Sequence, residues 1–300
     1  MTALPVPPPG APLATNAFTP ADWAVFMAVA GIWGASFLFI AIGLESLSPG
    51  VITLLRVGLG AAVLHLLPGP AIRIAREDHA RIVALSILWV ALPFTLFPLA
   101  EQHINSAVTG LLNGAMPLFT ALFAALFFDR RTTGAQLAGV VVGFAGVILI
   151  SLPSLGEGSA ATGGVVLVVL ATLCYGLAIN LAAPLQARYG SRPLMARVLA
   201  LATLWTLPFG LAGLPSSSVE LTPLIAVSVL GIVGTGLAFL LMGGLMGRVG
   251  ATRASFITYL IPVVALVLGV VVQHDHVEEL ALVGVTLAVG GAVLASRQEL

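Results

Sequence analysis

The chain has no lysine and a single cysteine, and only 8% of its 300 residues are charged. An ordinary soluble domain is about a quarter charged, and a globule so poor in charge could not wet its own surface. The lone thiol, Cys174, excludes a disulfide within the chain and reads as a small buried packing residue. Formal charge is zero and no basic stretch alternates with aromatics, so nucleic-acid binding has no support. Residues 1–22 are rich in Pro, Ala and Thr and lack a basic n-region. They resemble neither a signal peptide nor a packed element, and are expected to form a disordered tail.

What the chain has instead is apolar length. Residues of apolar type make up 59% of it, in ten runs: roughly 23–43, 50–67, 82–100, 106–128, 134–152, 163–184, 194–214, 222–244, 254–273 and 279–296. Each is about as long as the ~17–25 residues a helix needs to cross a bilayer. Backbone groups in lipid must be satisfied within helices or a closed barrel. Barrel strands alternate polar and apolar residues; residues 137–150 do not, so the spans are helices. Arginines collect in alternate gaps: Arg73, Arg76 and Arg81; Arg130 and Arg131; Arg188 and Arg192, with Arg197 just beyond; Arg248 and Arg253; then Arg297 in the tail 297–300. The intervening gaps carry Glu45, Glu101, Glu157, Glu220 and the group Asp275, Glu278 and Glu279. Basic residues mark the cytoplasmic side, so the expected topology has both ends in the cytoplasm. The gap 68–81, where Ile72 and Ile74 are spaced among charges, suits a short interfacial helix.

The chain also repeats itself. A shift of 145 places Phe94 on Phe239, Pro117 on Pro262, Gly139 on Gly284 and Gly146 on Gly291. Shifts of 142 and 141 place Trp33-Gly34 on Tyr175-Gly176 and Arg56 on Arg197. Runs one to five (23–152) thus correspond to runs six to ten (153–296). Five is odd, so the second copy enters the membrane from the opposite side. The expected fold is all-α, with ten transmembrane helices in two inverted five-helix repeats. Such a repeat is a recurring transporter architecture with its site near the midplane.

Several stretches resemble one family. Trp33-Gly34-Ala35-Ser36-Phe37, Arg56, Met116-Pro117-Leu118-Phe119-Thr120 and Ala251 to Gly269, centred on Tyr259-Leu260-Ile261-Pro262-Val263, are similar to the EamA-type drug/metabolite transporters across all ten runs. The resemblance implies a central cavity lined by helices one to four and six to nine, with helices five and ten at the periphery. It also implies export across a bacterial inner membrane. Asn113 four residues before Pro117, and Tyr259 three before Pro262, further resemble YddG-type exporters of aromatic and other amino acids. Where the family pattern has a Gly-Glu turn after run nine, this chain has Gln273-His274-Asp275-His276.

Candidate cavity residues are the polar and aromatic side chains near mid-depth: Trp33, Ser36, Trp89, Asn113, Tyr175, Asn180, Thr235, Thr258 and Tyr259. Each is open to two readings, an interhelical hydrogen bond or contact with a solute. Arg56, about six residues into run two, reads either as an anchor paired with Glu45 or Glu101 or as an attractor of a substrate carboxylate near the outer mouth. Arg197 reads as an anchor. Pro93, Pro117, Pro208 and Pro262, with Pro98, are hinge candidates; each frees a carbonyl, which should face protein. Gly139 and Gly143 form a small-residue seam for packing inside the monomer, with a dimer as the lesser reading. The His274-Asp275-His276 group offers metal-ligand types, but on a short turn it reads as solvated; no metal or cofactor is expected. No Asp or Glu lies within a helix core, and His65 sits near the end of its run, so no carboxylate proton relay is expected.

These readings combine into a secondary transporter exporting small metabolites, amino acids foremost, by alternating access, with small-molecule solute and membrane lipid as its partners. An integral-membrane enzyme acting on lipid or isoprenoid is the alternative; it needs convergent acids, His or a metal site. A channel would need a symmetric ring of charge or carbonyls, which a two-halved monomer does not offer.

Overall fold

A computed structural model describes residues 18–67, 72–127 and 133–296; most of the expected N-terminal tail and residues 297–300 lie outside the described residues. Among the described residues, nine helices are long and apolar enough to cross a membrane: α1 Pro20–Leu44, α2 Pro49–Leu66, α3 Arg76–Ala100, α4 Ser106–Phe127, α5 Gly134–Gly156, α6 Ser159–Tyr189, α7 Ser191–Ala212, α8 Leu221–Val249 and α9 Arg253–Val272. A shorter apolar helix, α10 Glu279–Ser296, completes the bundle. Helix starts carry the expected chemistry. The Thr19 hydroxyl accepts from Asp22 N while the Asp22 carboxylate accepts from Thr19 N, a capping box that fixes the start of α1. Thr133 and Gln136 do the same for α5, and Ser48 and Asn105 cap α2 and α4.

Five helices per half invert the second half relative to the first, and the packing follows that symmetry. Helix α1 packs on α8 and α9; its counterpart α6 packs on α3 and α4. Each half also contains one stretch of π-helix, Ser86–Ala91 in α3 and Ile232–Leu237 in α8, an offset of 146 residues. Each π stretch lies against the second helix of the opposite half, α3 on α7 and α8 on α2. The α8 turn is permitted by glycine. A Cβ on Gly231 would stand 2.8 Å from Leu59 Cβ, and one on Gly236 2.6 Å from Val63 Cβ.

The peripheral pair α5 and α10 is joined by backbone-to-backbone packing. A Cβ on Gly139 would lie 2.5 Å from Ala295 N, on Gly146 2.4 Å from Ala288 N, and on Gly291 2.4 Å from Gly143 N. The small-residue seam is thus occupied within the chain.

Two expectations about the connections fail. Residues 68–71 lie outside the described residues, but Ile72–Ala75 is not helical and Arg76–Asp78 is one 3-10 turn leading into α3. This segment is tied to α6 and α7 instead of lying free at the interface. Ala75 N donates to Tyr189 Oη at 3.2 Å, Arg197 donates to Ile72 O, and buried Asp78 accepts from Tyr189 Oη at 2.6 Å and Arg188 at 2.8 Å. Pro208, expected to face protein, is exposed. Helix α7 buries Val198, Ala202, Thr206 and Gly210, spaced four apart on one face, and position 208 falls opposite that stripe.

Candidate functional site: a cavity between the halves

Three helices break or widen around the centre. Helix α1 breaks at Ala35, where Gly34 allows α9 to approach: a Cβ there would meet Val264 Cβ at 2.4 Å and Ile261 O at 3.1 Å. Helix α4 breaks at Gly114-Ala115, just before Pro117, and α9 breaks at Phe256, six residues before Pro262. In α3, Pro98 removes the donor for Phe94 O, and the Thr53 hydroxyl of α2 supplies it at 3.0 Å.

Between these elements lies a cavity of about 260 Å³. Arg56 lines it, 5% exposed. Its Nε donates to Thr235 Oγ1 at 3.3 Å and its guanidinium stands 3.7 Å from the Phe94 ring centroid. Thr235, fully buried in the π stretch, donates onward to Leu230 O at 3.1 Å. Neither expected carboxylate partner, Glu45 or Glu101, forms an ion pair with Arg56 among the described residues. The aromatic wall is built on three edge-to-face pairs, Phe239 at 5.9 Å from both Trp33 and Trp89 and Phe97 at 5.5 Å from Phe37, with Tyr175 tilted against Phe97 at 5.9 Å. Among the described residues, Arg56 is the one formally charged side chain in the lining, and no carboxylate, imidazole or thiol joins it.

Of the nine candidate cavity residues, Trp33, Ser36, Trp89, Asn113, Tyr175 and Thr258 line this space, and Asn180, Thr235 and Tyr259 do not. Asn180 Nδ2 donates to Thr120 O at 3.0 Å and Gly176 O at 2.9 Å, tying α6 to α4. The Tyr259 hydroxyl donates to Ala292 O at 3.1 Å, holding α9 to α10. Thr235 sits behind Arg56. Among the hinge candidates, Pro93, Pro98 and Pro262 are buried and Pro117 is half-buried. Sequence reasoning missed Phe94, Phe97, Phe239 and Met242. The match of Phe94 with Phe239 was a usable signal, because Phe is common in lipid-facing helices but less often falls at repeat-related positions.

The two ends of the cavity differ. At the arginine-rich end it is lined by Gln186, Ser191, Met246 and Ser255. At the acidic end, turns from opposite halves are hydrogen-bonded together. Ser218 N donates to Ser46 O at 2.8 Å, Ser48 N to Ser217 Oγ at 2.9 Å and Ser48 Oγ to Gly213 O at 3.0 Å. Asp275 Oδ2 accepts from Ser106 Oγ at 2.8 Å and Ala107 N at 2.9 Å, capping α4 from the α9–α10 turn, and Asn105 Nδ2 donates to His276 O. The Gln273-His274-Asp275-His276 turn therefore places a carboxylate that fastens the two halves.

Beneath this closure the two carboxyl oxygens of Glu101 are buried without a hydrogen-bond partner among the described residues. Burial and the neighbouring Asp275 push this carboxyl well above the usual glutamate range, against the pull of Arg56. Position in sequence marked Glu101 as a helix-end residue and a candidate partner of Arg56; its burial comes from the packing of the turn.

Two inverted five-helix halves, broken helices at mid-depth and a cavity between the halves define a multi-span membrane carrier. The EamA-like transporter family model matches residues 22–152 and 162–297, and the chain belongs to that family. A protein of Streptantibioticus cattleyicolor named "probable terminal-alkyne amino-acid exporter" is 27% identical over 93% of this chain and 94% of its own. An Escherichia coli protein named "probable amino-acid metabolite efflux pump" is 24% identical over 90% and 93%. An uncharacterized transporter of Archaeoglobus fulgidus is 25% identical over 92% and 99%. A crystal structure shares the fold with a TM-score of 0.66 at 23% identity, covering 93% of this chain and 99% of that one.

Proposed function

We propose that this protein exports small metabolites, amino acids foremost, across the bacterial inner membrane by alternating access, with the arginine-rich end in the cytoplasm. The observation that carries the reading is the unequal closure of the cavity: the acidic end is sealed by bonds between the halves, and polar lining reaches the arginine-rich end. That is the arrangement of a carrier facing the cytoplasm. Residues 23–152 and 153–296 rock against each other, and parting of the Ser46–Ser48 and Asp275 contacts opens the opposite side. The relatives' names support amino-acid-like cargo. The monomer is the working unit, its glycine seam being spent on α5 and α10. A lining without carboxylate, imidazole or thiol speaks against the enzyme alternative and for solute exchange or flow down a gradient.

Reconstitution into liposomes tests this. Saturable uptake and counterflow of an amino acid are expected after preloading with the same solute. Uptake that is linear in concentration and indifferent to preloading would overturn the carrier reading, and accumulation driven by an imposed pH gradient alone would overturn the uncoupled one.

A further inference from the structure

The cavity has one electrostatic pole of each sign, but only one carries a formal charge. The positive pole is Arg56, whose Nε is held by Thr235 and which has no ion pair among the described residues. The opposite pole is Asn113. It is 8% exposed, lines the same cavity, and its side-chain carbonyl oxygen has no hydrogen-bond partner among the described residues. A buried, unmatched acceptor costs about 1–3 kcal/mol, so a ligand donor there would recover what the fold forgoes. Two further features make this spot attractive to a cation. Pro117 stands four residues on and cannot donate to the Asn113 backbone carbonyl. The helical segment Ser106–Asn113 also ends there, bringing the partial negative charge of a helix C-terminus. Thr258 lies at the repeat-related position, four residues before Pro262, and lines the cavity too. The same cavity is walled by Trp33, Phe37, Trp89, Phe97, Phe239 and Met242.

Resting on the transporter reading, we propose that the cavity binds a zwitterionic α-amino acid with an uncharged, apolar side chain: Arg56 takes the carboxylate, the carbonyl groups at Asn113 take the ammonium, and the aromatic wall takes the side chain. A second positive charge on the ligand meets no carboxylate, and a second negative charge meets no second cation. Lysine, glutamate and cationic drugs are accordingly poor ligands. Asn113 and Arg56 set specificity from opposite ends of one ligand.

The test is counterflow of radiolabelled leucine in proteoliposomes, with isocaproate (no amine) and leucinamide (no carboxylate) as competitors. Leucine should compete better than either by roughly tenfold or more, the effect of losing one charge-assisted hydrogen bond. Arg56→Gln should erase the preference for leucine over leucinamide, and Asn113→Leu the preference over isocaproate. Asn113→Asp should keep the latter and begin to admit lysine, a gain of function that misfolding cannot imitate. Isocaproate competing as well as leucine on the wild type, or Asn113→Asp abolishing leucine binding while Asn113→Leu does not, would overturn the assignment of poles and leave the carrier standing. Counterflow of nucleosides or cationic drugs with leucine inert would overturn it as well. No counterflow of any solute would instead remove the transporter reading beneath it.

Discussion

The two halves of this chain share a frame and divide the chemistry. The frame is kept closely: a π stretch in α3 and in α8, a proline in α4 and in α9, and glycines facing one another across α5 and α10. Positions at and around the cavity diverge. Phe94 and Phe239 occupy equivalent sites, yet the first lies under Arg56 and the second between two tryptophans. Arg56 is buried at the cavity, whereas its counterpart Arg197 is spent on the carbonyls of Pro193 and Ile72 at the arginine-rich rim. Asn113 keeps a free acceptor; at Thr258 the hydroxyl donates to Ser255 O at 2.8 Å. Duplication preserved the backbone devices that let helices bend and meet, and left side chains free to make a polar, oriented site.

The comparison breaks most visibly where the frame is shared. Gly146→Leu would drive a side chain into the backbone of α10 and should cost about 3 kcal/mol or more, the upper end for overpacking; little folded protein is expected by fluorescence-detection size exclusion. Next is the divergent position 235, whose equivalent in the first half is Val90. Thr235→Val makes the halves alike and removes the acceptor for Arg56, costing roughly 1.5–3 kcal/mol for a hydrogen bond to a charged group; Thr235→Ser should restore most of it in thermal melts and leucine affinity.

Glu101 gives the acidic end a pH response of its own. Its carboxyl is raised in the closed arrangement, so closure is fully supported below the ordinary glutamate range and weakens as pH climbs through the raised value. Thermal stability should fall over that window, and Glu101→Gln should flatten the profile; an unchanged slope in the variant would assign the effect elsewhere. Tyr259→Phe, removing the bond to Ala292 O, should cost about 1 kcal/mol of stability with leucine affinity unchanged. Smallest is Gly31→Ala: nothing lies within 4 Å of the added methyl, and a helix-interior alanine should stabilise α1 by about 0.5–1 kcal/mol.

Span number and the repeat were legible because apolar length and register are one-dimensional signals. Trp33, Arg56 and Asn113 were legible for the same reason: polar or bulky aromatic groups at mid-depth need protein around them. Orientation on the helix was not. Pro208 and Pro262 look alike in sequence, but the buried stripe of α7 leaves the first outside, and the break at Phe256 precedes the second. Tyr259 lies next to Thr258, and one step of about 100° around the helix turns it from the cavity to α10. Glu101 and Asp275 could not be read at all, since their burial and bonding depend on turns from opposite halves meeting.

Where α5 and α10 touch main chain to main chain, there is no side-chain cushion to shear. Sliding one past the other by a single residue would set glycine clefts against bulkier neighbours along the whole contact. The two helices therefore hold a single register, the glued spine of a book bound along its whole length.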